Sequence, residues 1–330
     1  MSTSLKTKES RSALERAAQS LLEAVGHTPL VELDAGAEAP AGTRLFAKLE
    51  TSNPGGSIKD RSVARMITEA LGRGELEGDR RILDSSSGNA GIAYAQIGAA
   101  LGLGVTLVIP ANASRERLDR IRAHGAEVIQ TDPVEGYDHA VYTARRMAQE
   151  DPHRFWYCDQ YSNPANWQAH FDGTGGEILR QVREKTGSCP DVFVAGVGTG
   201  GTLTGVGTRL KQASSATLVI AVIPEIFPGI EGLKPLGRPE DFVPEILDQS
   251  LIDRRIDVTL EEATAEARRL ARQGLFVGPS SGAYVHVAKA LAREGYGPTL
   301  VTILSDTGER YGSTGLWSRA VVPLAPEARS

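Results

Sequence analysis

With 330 residues and ordinary apolar and charged fractions, the chain can bury one large core or two medium ones, which excludes disorder over most of its length. A formal charge of −5, with acids and bases interspersed, leaves no basic stripe for a phosphate backbone and excludes nucleic acid as a partner. The two cysteines, Cys158 and Cys189, sit in no CxxC pair and beside no His at ligand spacing, no run of 18 apolar residues occurs, and Lys6 to Arg16 is charged where a leader would be apolar, so we expect a soluble cytoplasmic protein with no disulfide framework, metal or membrane span.

In chain order, strand-like apolar runs alternate with amphipathic stretches, the pattern of parallel sheets covered by helices. Glu50 to Arg61 reads ETSNPGGSIKDR. Asn53 to Gly56 make a turn, Ser57 stands at an N-cap position, and Val63, Ala64 and Ile67 continue a helix, so Lys59 falls in the first helical turn. The positive end of the helix dipole there favours the free amine that a Schiff base needs. From this segment alone, a solvated surface lysine in a Lys-Asp-Arg run is the more economical reading. Arg81 to Leu83 is a short strand running into Asp84 to Gly91, DSSSGNAG, and then into the helical IAYAQIGAALG. Serines and glycines at such a turn offer N–H groups and hydroxyls to a carboxylate or phosphate, and Asn89 adds an amide; an ordinary polar turn uses the same residues.

Val105 to Pro110 is a strand, Arg115 to His124 a helix capped by Ser114, and Glu127 to Gln130 a strand. The strand Asp191 to Ala195 leads into Gly196 to Gly201, GVGTGG, which matches the GxGxxG dinucleotide fingerprint, with an acid at Glu225 near the ribose-binding spacing; this is the reading of an NAD-dependent oxidoreductase. Against it, the match lies deep in the chain and continues with Thr202 and Thr204, and Gly198, Thr199, Gly200, Gly201 and Thr202 have donors enough to wrap one phosphate monoester. Thr217 to Ile223 is a strand and Glu261 to Arg272 a helix. The apolar Leu275 to Val277 joins through GPSSGA to a helix from Ala283, with Ser280 able to meet a ring nitrogen and Ser281 to cap, and Thr299 to Leu304 is the last strand.

The order of these segments resembles the cysteine synthase family, the β-family of pyridoxal-phosphate (PLP) enzymes. The likeness takes in Asn-Pro-x-x-Ser-x-Lys-Asp-Arg, Ser-Gly-Asn-x-Gly, Gly-Thr-Gly-Gly-Thr and Ser-Ser-Gly, together with Gly26-His27-Thr28-Pro29-Leu30, Gln160 to Asn166, and Gly308-Glu309-Arg310-Tyr311. The resemblance implies an α/β fold of two domains, each with a mainly parallel twisted sheet covered by helices, tryptophan synthase β-like, PLP fold type II. Residues 51–164 would form the smaller mobile domain, and 1–50 with 165–330 the larger cofactor-binding one. It implies that Lys59 carries the cofactor as an internal aldimine and moves the substrate α-proton. Gly198 to Thr202 would cradle the phosphate, Asn89 would meet the ring O3′, and Ser280 would face the pyridine nitrogen. Ser86, Ser87, Asn89 and Gln160 would hold the substrate α-carboxylate. The implied reaction is β-replacement on O-acetylserine or O-phosphoserine through an α-aminoacrylate, giving L-cysteine, in a homodimer that a sulfur-carrier protein could serve. A cystathionine β-synthase or a 2,3-diaminopropionate synthase is the near alternative, and an NAD-dependent oxidoreductase or an inactive cofactor-holding regulatory protein the far one.

Departures from the family pattern bear on substrate choice. Ala90 stands where a threonine is common, Ile223 replaces an acid, and Leu304 to Gly308 reads LSDTG where Pro-Ser-Ser-Gly is usual. Lys234, in IEGLK, is either a sensor of the leaving group or a surface lysine, the second being the simpler expectation. These features look more like the B-type or carrier-dependent enzymes. The tail Ala325 to Ser330 reads as disordered.

Overall fold

The computed structural model describes residues 15–86, 88–238 and 241–317. After a first helix, α1, over residues 15–23, the chain runs β1 (Leu30–Leu33), β2 (Arg44–Leu49), α2 (Lys59–Gly72), β3 (Arg81–Ser85), α3 (Asn89–Leu101), β4 (Val105–Pro110), α4 (Arg115–Ala123), β5 (Glu127–Thr131), α5 (Gly136–Glu150) and β6 (Phe155–Tyr157). It continues through α6 (Pro164–Ala169), a π-helical turn at His170–Gly175, α7 (Gly176–Thr186), β7 (Val192–Gly196), α8 (Gly201–Ala213), β8 (Leu218–Pro224), β9 (Arg254–Val258), α9 (Leu260–Arg272), α10 (Pro279–Arg293) and β10 (Thr299–Leu304).

The strands fall into two sheets, ordered β1-β2-β10-β7-β8-β9 and β5-β4-β3-β6. Every pairing is parallel except β1 with β2. The inner strands β4, β7 and β10 are buried at every position, because helices cover both faces and leave no polar side to the pleat. The edge strands β5 and β9 alternate or expose charged residues, which suits a margin with unpaired backbone groups. One apolar core surrounds the larger sheet, and two smaller clusters flank the four-stranded one. The carboxyl ends of β2, β3 and β7 lead into three of the four polar segments singled out in the sequence, and the Val277–Thr307 bridge sets the fourth, GPSSGA, beside the end of β10, so the segments gather at one crevice.

Three local expectations need correction. The N-cap of α2 is Ile58, in a helical conformation without a capping bond, while the Ser57 hydroxyl accepts from the Lys59 N–H at 3.3 Å. Ser57 is drawn instead into a bridge with Asp306, and Ile58 N–H donates to the Ser305 carbonyl at 2.9 Å. Ser114 does precede α4 in an extended conformation, but its buried hydroxyl makes no bond. Helix α10 begins at Pro279, ahead of Ala283, since a proline at the first helical position has its φ preset and lacks only an N–H that would be spare anyway. Ser281 is therefore inside the helix, and its hydroxyl accepts from Ser305 N–H at 2.9 Å, fixing the end of β10.

Candidate active site

Lys59 opens α2 at the floor of the crevice and lines two adjoining cavities, one of about 340 Å³ and one of about 60 Å³. The turn before it is held from three directions. Asn53 accepts the Gly26 N–H at 2.8 Å and donates to Glu50 at 2.8 Å, Asp60 accepts the Gly55 N–H, and the Arg310 guanidinium donates to the carbonyls of Gly55 and of Gly56, the latter at 2.6 Å. The GHTPL and GERY motifs are thus the clamps of the lysine turn. Burial pushes the Lys59 ammonium down to about 8, against the pull of the Asp306 carboxylate. The sequence argument from the helix dipole pointed the same way, but removal from water is the larger cause.

Beneath α2 lies a buried ionic cluster. Arg61 is bidentate to Glu50 at 2.7 and 2.9 Å and reaches Glu177 at 2.8 Å, and Lys48 meets Glu177 at 2.7 Å. Thr28 donates to Glu50 at 2.8 Å. Burial raises the Glu177 carboxyl, but Arg61 and Lys48 outweigh it and hold the group down to about 2.

The loop Gly198 to Thr202 follows β7 and opens α8. Gly200, the N-cap, has φ +86, and a Cβ there would stand 2.7 Å from Leu247, so only glycine makes this turn without strain. The first-turn N–H groups of a helix have no intrahelical partner, and Gly198, Thr199, Gly200 and Thr202 line the smaller cavity in front of them. Gly201 is not part of that wall. Its α-carbon packs against Asn166, whose amide donates to Gln160 O at 2.7 Å and Thr199 Oγ1 at 3.2 Å, stitching the two sheets' loops together. Ser280 completes the smaller cavity.

Ser86, Asn89 and Gln160 line the larger cavity, and Ser87 lies outside the described residues. Gln160 is buried, its Nε2 donating to Ser85 O at 3.1 Å. Asp84 anchors both walls, accepting from Ser85 N–H at 2.7 Å and Tyr94 Oη at 2.6 Å, and burial raises its carboxyl to about 7. Asn89 Nδ2 donates at 2.7 Å to Asp306, which also accepts from Tyr311 Oη at 2.7 Å. Asn89 Oδ1 and Asp306 Oδ1 are buried with no partner.

Sequence reasoning missed Arg117, and it had no role for Glu231 or Tyr311, all of which line the larger cavity. Arg117 lies in a charge-rich helix that reads as a solvated face. Lys234 is not a surface lysine. It is half-buried, lines the same cavity, and lies 5.3 Å from the centroid of the Tyr161 ring and 4.8 Å from that of Phe242.

A lysine with a depressed ammonium, a glycine-threonine loop at a helix N-terminus, a serine on the same cavity wall and buried orphan acceptors fit PLP in donor set. The family model described as pyridoxal-phosphate dependent enzyme matches residues 21–306, which makes the chain a PLP-dependent enzyme. The cysteine synthase of Aquifex aeolicus (strain VF5) is 44% identical over 311 residues, covering 92% of this chain and 93% of that one. Among solved structures, an O-ureido-L-serine synthase matches with a TM-score of 0.83 at 36% identity, covering 92% of this chain and 96% of the other. O-acetyl serine sulfhydrylase isoform 3 from Entamoeba histolytica matches with 0.82 at 32%, covering 92% of each. The chain belongs to the cysteine synthase family. The dinucleotide reading of GVGTGG is set aside, since the loop opens onto a cavity shared with Lys59.

Proposed function

We propose that the protein carries out β-replacement on O-acetylserine or O-phosphoserine with a sulfur nucleophile to give L-cysteine. The observation that carries this reading is Lys59, whose amine, lowered to about 8, faces both the glycine-threonine loop and the polar wall of the larger cavity. Bound there, PLP supplies the electron-withdrawing ring that weakens bonds at the substrate's α- and β-carbons. Lys59 anchors it and, once freed, takes and returns the α-proton at Nζ. Gly198, Thr199, Gly200 and Thr202 would hold its phosphate, Asn89 would meet its ring oxygen, and Ser280 would offer the ring nitrogen a neutral partner. Ser86, Gln160 and Asn89, with Ser87, orient the substrate carboxylate.

The four-stranded sheet is built entirely from residues 81–157, which supports a unit of residues 51–164 that moves over the crevice against the rest of the chain. A cytoplasmic homodimer completes the proposal, and among the described residues no helix is long and apolar enough to cross a membrane. A sulfur-carrier protein is not part of it.

The test is the visible spectrum of the purified protein before and after each serine ester, followed by a cysteine assay on adding sulfide. A yellow protein whose band shifts with an ester and which then releases cysteine is the expected result. A colourless protein that takes up no PLP would overturn the reading.

A further inference from the structure

The larger cavity contains a cation that the reaction as proposed does not use. Arg117, in the first turn of α4, has a side chain only 4% exposed, pairs with the Glu231 carboxylate, and stacks over the Tyr311 ring at 5.0 Å. Its Nε is buried with no hydrogen-bond partner. The turn that carries it is fastened by its neighbour Glu116, which accepts from Ser313 N–H at 2.6 Å and Ser313 Oγ at 2.9 Å. Glu231 is built the other way. Its side chain is 45% exposed, and it lies between Gly229 and Gly232, both in the left-handed region at φ +74 and +87.

We propose that Arg117 is a subsite for a phosphate-like oxyanion carried on the substrate's β-oxygen, and that Glu231 is an acid that occupies it until the substrate arrives. A buried guanidinium must be paired, and its planar fork suits an oxyanion with several oxygens better than one carboxylate that leaves Nε unmet. The fixed partner is the site and the exposed one is exchangeable, since Glu231 gives up little on turning into water while Arg117 has nowhere to go. Glu231 also sets specificity. It repels an anionic ester that fails to displace it and leaves a neutral ester unaffected, so discrimination is built from repulsion as well as attraction. Lys234, on the same cavity wall, adds positive charge without competing for the fork. This inference rests on the larger cavity being the substrate site proposed above.

The experiment uses the PLP-loaded enzyme, with inorganic phosphate as the probe in titration calorimetry and the two serine esters in steady-state assays. Glu231→Gln is expected to tighten phosphate about tenfold and to raise kcat/KM for O-phosphoserine relative to O-acetylserine by about the same factor. Arg117→Lys, which keeps the charge but loses the planar fork, is expected to weaken phosphate and lower that ratio by about tenfold. Phosphate binding and an ester ratio unmoved by Glu231→Gln would overturn the subsite. Phosphate binding that follows both substitutions while neither ester is turned over would leave the subsite standing and overturn the reaction instead.

Discussion

The two sides of helix α2 use the same residue types to opposite ends. Below it, Lys48, Glu50, Arg61 and Glu177 form a buried cluster in which each charge meets an opposite charge or a hydrogen-bond donor. Above it, facing the cavities, Asn89 Oδ1, Asp306 Oδ1 and Arg117 Nε are buried without partners, and Lys59 has lost much of its hold on a proton. Satisfied buried charge fixes a structure, while unsatisfied buried polarity on a cavity wall marks a place where something else can be bound. The lysine turn is the boundary between the two regimes, and the lower cluster pins through Arg61 the helix that carries Lys59.

The sharpest break of this comparison is on the cavity side. Lys59→Ala should lower turnover by about a thousandfold or more and abolish the absorption of covalently held cofactor, with the thermal midpoint of the cofactor-free protein nearly unmoved. Wild-type rates in that variant would remove Lys59 from the chemistry. On the lower side the expected effect is on stability. Glu50→Gln leaves the Arg61 charge short of a counterion in a dry site and should cost about 3–5 kcal/mol in urea unfolding of the cofactor-free protein, and a loss below about 1 kcal/mol would mean the cluster is not the brace described. Gly200→Ala, forcing a Cβ into a left-handed turn beside Leu247, should cost about 1–2 kcal/mol and weaken PLP binding to the cofactor-free protein by about tenfold. Unchanged PLP affinity would place the phosphate elsewhere. The smallest effect is in pH. Only the free amine of Lys59 reacts, and its ammonium gives up the proton near 8 where an ordinary lysine holds it to 10.5, so the rate of PLP uptake should climb to about pH 8 and then level. A climb continuing to pH 10 would show that the amine is not depressed.

Much of this was legible beforehand because parallel sheets write themselves plainly. VTLVIP and TLVTIL are β-branched, mostly apolar runs, and the polar segments after β2, β3 and β7 fall where strand ends converge. Of the four strands left unrecognised, β1 has only four residues and the other three have features that argue against a sheet. β2 carries the fully buried Lys48, β9 reads RRIDV at an edge, and β6 has only three residues. In the site, Lys59 and Gln160 were picked out only by the order of motifs that resembles the family, while the phosphate loop also offered donors of its own. Arg117 did not, because RERLDRIRA has the composition of a solvated helix and its partner Glu231 comes from a distant loop. Asp306 showed only as a departure from a pattern, since its bond to Asn89 spans 217 positions.

β10 lies in the middle of the larger sheet, between β2 and β7, yet among the described residues it is the last strand in the chain. A nascent chain therefore carries two separated half-sheets until residue 304 clears the ribosome, with the inner margins of β2 and β7 bare. Arg310, which clamps the lysine turn, arrives later still. The lysine turn cannot be clamped before Arg310 has been made, so a chain cut short of β10 would leave the margins of β2 and β7 bare and the reactive amine unplaced.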